Sequence, residues 1–299
     1  MKNAPMAEAH SPLAWVEVKQ RARCWLTLLC VCASASGCDP SEPPAEPLPL
    51  DSQAQELNSF NGLSANGLSA NGLSLNGLPL NGLSVGGFSS SAFIQWFSQD
   101  PAAADMLMTY VVRCAVPTGQ TRTYRHQGGR TYAWTGGLGL APDWASGSAI
   151  NYNEQQLITA CLLAHVNRYG RNVNISVLGW NAWGNAIPYT FGELTSYPVR
   201  EACFFGNLFV PNSLFFGVDR PVNNEGEYLT RACGALGSGS NSSNQCAPLR
   251  FVGRCSNVCV LGLEPWFYSN CTYGGVSYRP LTIRMRQADF DQLFDAPGN

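Results

Sequence analysis

Cys161 and His165 stand four residues apart in Glu154–Tyr169, the most helix-like stretch of the chain. Side chains at that spacing are neighbours on a helix, and a thiolate beside an imidazole is a nucleophile pair in some hydrolases and transferases. Cysteine parity argues against it, because Cys161 completes an even set and a bridged sulfur cannot attack. On that reading His165 is a core histidine bonded to backbone. His126 sits beside Gly128-Gly129, far from any second ligand, so no catalytic zinc is expected and the metal assignment is none. No Gly-x-Ser-x-Gly elbow occurs. Glu193, Glu201, Glu225, Glu227 and Glu264 supply carboxylates for glycoside cleavage only if two of them meet in space. The segment Trp180-Asn181-Ala-Trp183-Gly-Asn185 is of another kind. Indole faces beside amide side chains suit a sugar or an extended peptide, so Trp180, Asn181, Trp183 and Asn185 form the candidate ligand-binding set. Trp134, Trp144, Trp266, Tyr152 and Tyr189 extend the aromatic inventory.

Eight cysteines lie in the body of the chain: Cys114, Cys161, Cys203, Cys233, Cys246, Cys255, Cys259 and Cys271. An even set reads as a disulfide framework in an exported protein, each bridge contributing ~2–4 kcal/mol. Cys255-x-x-x-Cys259 is the close pair among them, and no nearby His supports a metal reading.

Export is written into the first residues. Arg21 and Arg23 precede the apolar run Cys24–Ala35, followed by Ala35-Ser36-Gly37-Cys38. This is the order of a secretory leader: charge, apolar stretch, small-residue cleavage site. Its apolar run is shorter than the ~20 residues of a membrane-spanning helix. Ala-Ser-Gly-Cys also resembles the lipobox of bacterial lipoproteins. That resemblance implies lipidation at Cys38 on sulfur and amine, with several acyl chains holding the protein at a membrane.

Charge and composition divide the remainder. Residues 39–88 carry Asp39, Glu42, Glu46, Asp51 and Glu56 and no basic residue. Pro40, Pro43, Pro44, Pro47 and Pro49 make their start an extended tether. A period-five repeat follows, with Asn61, Asn66, Asn71, Asn76 and Asn81 each opening Asn-Gly-Leu, and Gly86-Gly87-Phe88 as a degenerate copy. A pentapeptide β-helix wants a small residue where this repeat has Asn, and the repeats are too few to stack a solenoid core. The preferred reading is a spacer of Asn-Gly turns whose leucines can dock on a surface. Residues 89–299 hold 14 Arg against 13 acids and no Lys. Near-neutrality there excludes the basic field that nucleic-acid binding requires. Charged residues are 13% of the chain, about half the usual share, which fits an exported, neutral polar surface.

The elements that must position these residues read as follows. Ser91–Phe97 is a short helical turn. Asp100 caps a helix whose first residue is Pro101 and which ends before Pro117. Thr121–Arg125 and Arg130–Trp134 form a hairpin around Gly128-Gly129. The Gly-rich run from Trp134 to Trp144 lacks the spacing of a dinucleotide fingerprint and reads as a close-packed loop between two indoles. Asn153 caps the helix to Tyr169. Asn172–Leu178 alternates as a half-buried strand. Arg200–Phe205, Gly226–Cys233, Leu249–Cys255 and Val276–Met285 are strands, Gly237–Asn244 is a loop, and Gln287–Phe294 is a last helix. Helices and strands segregated in this way argue α+β. The expected protein is a small disulfide-braced domain with a few helices and short antiparallel strands, preceded by a disordered tether. Its divisions are 1–37 leader, 38–88 tether and 89–299 globular domain.

Several strings recur together: the lipobox, the Asn-Gly-Leu repeats, Met106–Pro117, Leu138–Trp144, Ile158–Asn167 and Arg200–Phe209. As a set they resemble a family of bacterial cell-envelope lipoproteins with Asn-Gly-Leu pentad repeats. The resemblance implies an address, the membrane-attached envelope facing periplasm or cell surface, and no particular activity. The expected role is non-enzymatic: binding a cell-wall, glycan or protein partner, or structural, without cofactor and without nucleic acid. The alternative is an extracytoplasmic hydrolase or transferase.

Overall fold

The computed structural model describes residues 78–166, 173–219 and 249–294. Cys38, Cys233, Cys246, the tether before Leu78, the Gly226–Cys233 strand and the Gly237–Asn244 loop lie outside them. The architecture is α+β, with helices α1 (Val85–Phe88), α2 (Ser91–Gln99), α3 (Pro101–Ala115), α4 (Pro142–Ala145), α5 (Tyr152–Ala164), α6 (Phe191–Ser196), α7 (Cys255–Val258) and α8 (Gln287–Phe294). The strands are β1 (Thr121–Arg125), β2 (Thr131–Thr135), β3 (Ile175–Gly179), β4 (Val199–Gly206), β5 (Leu214–Val218), β6 (Arg250–Arg254), β7 (Cys259–Leu261), β8 (Tyr268–Tyr273), β9 (Val276–Tyr278) and β10 (Leu281–Met285).

A five-stranded sheet in the order β3-β10-β4-β5-β6 is the centre, antiparallel throughout except for the parallel pair β5/β6. Period-two alternation sends Ala202, Phe204, Leu214 and Phe216 to one face and Cys203, Phe205 and Phe215 to the other. The first set joins the main core with α3 and α5. The second packs against the three-stranded sheet β7-β8-β9. Both faces are therefore covered. That is why β3, expected to be half-buried, is buried along its whole length: Ile175 and Val177 enter the main core, and Leu178 meets Phe267 and Leu194 behind it.

The long helices start where the caps place them. Asp100 accepts from Ala102 N and Ala103 N ahead of Pro101. α5 begins two residues earlier than expected, because Asn151 rather than Asn153 is its cap. Asn151 Oδ1 accepts from Glu154 N (3.1 Å) and Glu154 Oε2 accepts from Asn151 N (3.0 Å), a reciprocal capping box. The other oxygen of Glu154 accepts from Asp143 N and Trp144 N. A fully buried carboxylate is thus supplied with three backbone donors, the compensation its burial requires. α5 ends at Ala164, short of Tyr169, with His165 as its C-cap.

The Gly-rich run between the two indoles has a structural task. Helix ends leave backbone carbonyls without partners. Leu138 N, Leu140 N and Ala141 N donate to Arg113 O, Cys114 O and Ala115 O, and Gly137 N donates to Val116 O. A Cβ at Gly136 would stand 2.3 Å from Pro117 O, so the approach needs glycine. Trp134 and Trp144, both buried, fix the two ends.

The last repeats belong to this body. The sequence places the domain boundary at Ser89, yet Leu78 and Leu83 are core residues. Trp144 Nε1 donates to Pro79 O, Leu83 N donates to Trp144 O, and Ile150 N donates to Leu80 O. Arg122 closes the contact by donating to Leu83 O and Ala145 O. The leucine period that reads as a spacer becomes, at its C-terminal end, an edge of the fold.

Candidate functional site

Among the described residues, three pairs of cysteines stand at bonding distance: Cys114–Cys161, Cys203–Cys255 and Cys259–Cys271. The first joins α3 to α5 and removes the Cys161 thiol from the proposed dyad. His165 is buried, its Nδ1–H donating to the Cys161 carbonyl at 2.7 Å. The other two bridges lie side by side, with Cys259 Sγ 3.7 Å from Cys203 Sγ; Cys203–Cys255 joins β4 to α7, and Cys259–Cys271 joins β7 to β8 within the small sheet. His126 is half-buried beside its turn: Nδ1 accepts from Gly128 N, which leaves Nε2–H to donate to Ser98 Oγ.

Among the described residues, Glu193, Glu201 and Glu264 stand on separate segments of the chain. Glu201 is buried in β4 and Glu193 is half-buried in α6. Glu264 accepts from Tyr189 Oη at 2.7 Å. Burial, and the proton given to Glu264, push the Tyr189 phenol up to about 12. Glu225 and Glu227 lie outside the described residues. Asp219 pairs with Arg200 and accepts from Tyr268 Oη, clamping β8 to the central sheet. Burial first, and this bond to Asp219 second, push the Tyr268 phenol well above its ordinary value.

One concave feature carries the right chemistry. A cavity of about 460 Å³ opens between the first turns of α5, the Trp180–Ala186 loop and the β8–β9 hairpin. From α5 come Tyr152, Asn153, Gln156 and Leu157. The loop gives Trp180 and Gly184. The hairpin and the chain leaving it give Ser269, Asn270, Ser277, Tyr278, Arg279 and Pro280. Leu157, Tyr278 and Pro280 are buried and make its floor, while Tyr152 is 53% exposed and stands at the rim.

Each wall is held from behind. Gln156, itself buried, donates from Nε2 to Ser277 O and accepts from Arg279 N, which binds α5 to the hairpin. Trp180 packs edge-on against Phe267, centroids 5.6 Å apart, and Tyr189 packs edge-on against the same ring. Ser277 Oγ donates to Asn270 Oδ1 at 2.6 Å. Arg279 Nη1 donates to Asn181 O at 3.2 Å.

Of the four residues grouped as a ligand face, only Trp180 lines the cavity. Asn181 builds the loop instead: its Oδ1 accepts from Trp183 N and Asn185 N, both at 3.0 Å. Asn side chains commonly nucleate turns in this way. Gly184 completes the turn at φ 82°, the left-handed region that glycine occupies without strain. Trp183 is 64% exposed and donates from Nε1 to Asp143 Oδ1, and Asn185 is exposed. Sequence reasoning gathered residues by adjacency, and a tight turn points adjacent residues in different directions. It missed Gln156, Asn270 and Arg279, which come from distant segments with no shared motif. The one available signal was Gln156, a polar residue amid the apolar positions of a largely buried helix.

The lining contains three aromatic side chains, amide and hydroxyl groups, and one guanidinium, with no carboxylate, imidazole or thiol. Such a set can bind and orient a polar ligand. No protein-family model, curated protein or solved structure matches the chain.

Proposed function

We propose that this protein is a lipid-anchored cell-envelope protein, similar to bacterial envelope lipoproteins, whose domain binds a saccharide in the cavity between α5 and the β8–β9 hairpin. The anchor rests on Ala35-Ser36-Gly37-Cys38 and the apolar run before it. Buried cystines accord with an oxidising compartment. Among the described residues no helix is long and apolar enough to cross a membrane.

The observation that carries the binding role is the pairing of Trp180 and Tyr152 with Asn153, Asn270 and Ser269 around one cavity. A sugar ring offers an apolar C–H face for stacking and a rim of hydroxyls for hydrogen bonding, so it matches an aromatic wall edged with amides. A lining whose hydroxyls have no imidazole or carboxylate beside them to act as base favours binding over hydrolysis or transfer.

The test is tryptophan fluorescence of the exported full-length protein titrated with oligosaccharides, beginning with soluble peptidoglycan fragments and neutral hexose oligomers. Saturable binding that falls at least about tenfold in Trp180→Ala supports the reading. No saturable binding to any saccharide, or an undiminished affinity in Trp180→Ala, overturns it.

A further inference from the structure

We infer that the saccharide carries a carboxylate and that Arg279 selects it. This rests on the saccharide reading and names the ligand class within it.

The charge balance of the cavity is one-sided. Arg279 is its only ionised lining residue, and no acid lines it. Nor does any carboxylate within the described residues form a salt bridge with Arg279; the ion pair found there joins Arg200 to Asp219. An arginine placed for structure alone spends its donors on carbonyls or carboxylates. Arg122 shows that pattern, with bonds to Leu83 O, Thr121 O, Gln120 Oε1 and Ala145 O. Arg284 shows it too, bonding Tyr197 O and Pro198 O. Arg279 spends one, from Nη1 to Asn181 O. A guanidinium has five N–H donors, so the remaining edge is unspent among the described residues.

Its position is nevertheless fixed. The backbone N–H of Arg279 is held by the buried Gln156 side chain, and Pro280 follows it with a constrained φ. The same Asn181 carbonyl that receives Nη1 belongs to the turn carrying Trp180. One short network thus sets the stacking face and the cation relative to each other. A planar fork beside an aromatic wall reads a carboxylate bidentately while the ring stacks. Uronic acids and lactyl-substituted sugars have that pairing of features, whereas neutral hexoses lack the anion.

The probes are an oligogalacturonate and its methyl ester, which share the sugar skeleton and differ in the carboxylate charge. The native protein is expected to bind the acid at least about tenfold more tightly than the ester. Affinity for the acid should fall as salt rises while that for the ester stays constant. Arg279→Gln should weaken binding of the acid at least about tenfold more than binding of the ester, so that the preference is lost, and Arg279→Lys should restore it in part. Equal affinity for acid and ester overturns the carboxylate assignment and leaves the saccharide reading standing. An equal loss of affinity for acid and ester in a folded Arg279→Gln also overturns it, because the ester has no carboxylate for the guanidinium to select. Failure of both probes and of every neutral sugar removes the saccharide reading itself.

Discussion

The two faces of the central sheet are covered by different means. On the helix side Phe88, Phe93, Phe97, Tyr124, Tyr132 and Trp134 interlock, with ring centroids 4.8 Å apart for Phe97–Tyr132 and 4.9 Å for Phe97–Tyr124. That layer continues through α3, α5 and the leucines of the last repeats. On the other side, among the described residues, the cluster has eight buried members, and four of them are Cys203, Cys255, Cys259 and Cys271. A layer that buries much apolar surface is held by packing. A three-stranded sheet of short strands cannot bury enough, so cross-links offset the deficit. The candidate cavity lies where the two layers meet: α5 belongs to the first and the β8–β9 hairpin to the second.

The largest effect should come from the helix side. Trp144→Ala empties a fully buried site and removes one of the two donors to the Pro79 carbonyl, and about 3–5 kcal/mol of stability should be lost in urea unfolding. A loss under ~1 kcal/mol would mean that this layer is not held by its rings. Leu83→Ala should cost about 3 kcal/mol, because Leu83 is fully buried among core residues. Val85→Ala, at a position that is 80% exposed, should cost under ~0.5 kcal/mol. A Leu83→Ala variant as stable as the native protein would return residues 78–88 to the tether.

Removing a cross-link should act on the other face alone. Cys259→Ser with Cys271→Ser opens a bridge that closes 12 residues, and about 2–3 kcal/mol should be lost. Hydrogen exchange should then accelerate at the β7 and β8 amides while the α3 amides keep their protection. Equal acceleration in both would make the two layers one cooperative unit. Alkali probes the same side through Tyr189. Its phenol is raised to about 12 against roughly 10 when unfolded. Between those values the unfolded chain has released a proton that the folded one keeps. Stability therefore falls as pH rises from about 10 to 12, and Tyr189 contributes no slope below 10. Tyr189→Phe should flatten part of that decline in chemical-denaturation midpoints; an unchanged slope would place the loss elsewhere.

What was legible in the sequence follows the same division. Elements with local signatures were readable: Asp100-Pro101 opened α3, Gly128-Gly129 turned the β1–β2 hairpin, and α8 fell on Gln287–Phe294. Cys161 was assigned to a bridge from parity alone, and it is in one. β5, β7 and β8 were not recognised. β5 is buried on both faces, so it shows no alternation, and β7 has only three residues, too few for a period. β8 carries Ser269, Asn270 and Thr272 toward solvent and the cavity, which dilutes its strand signal. The Asn-Gly-Leu period gave no sign of where docking begins, because each copy is locally alike. What buries Leu78 and Leu83 is Trp144 and its neighbours, more than 60 residues away. The cavity was legible only through Trp180 and Tyr152, since Gln156, Asn270 and Arg279 meet by tertiary packing.

The smallest predicted effect separates the two indoles of the Trp180–Asn185 segment. The Trp183 indole makes one hydrogen bond, from Nε1 to Asp143 Oδ1 at 3.2 Å, with most of its surface in water. An exposed hydrogen bond of this kind contributes little, and Trp183→Ala should change stability by no more than ~0.5 kcal/mol. The turn itself depends on Asn181 Oδ1 receiving the backbone N–H of Trp183, which alanine retains. Saccharide affinity should therefore stay within about twofold of native, although Trp183 is only three residues from Trp180. A large loss of affinity would show that the ligand extends over the loop to the Asp143 side, joining the two indoles into one face as their sequence spacing suggests. Retained affinity would confine the ligand to the junction between the packed layer and the cross-linked one.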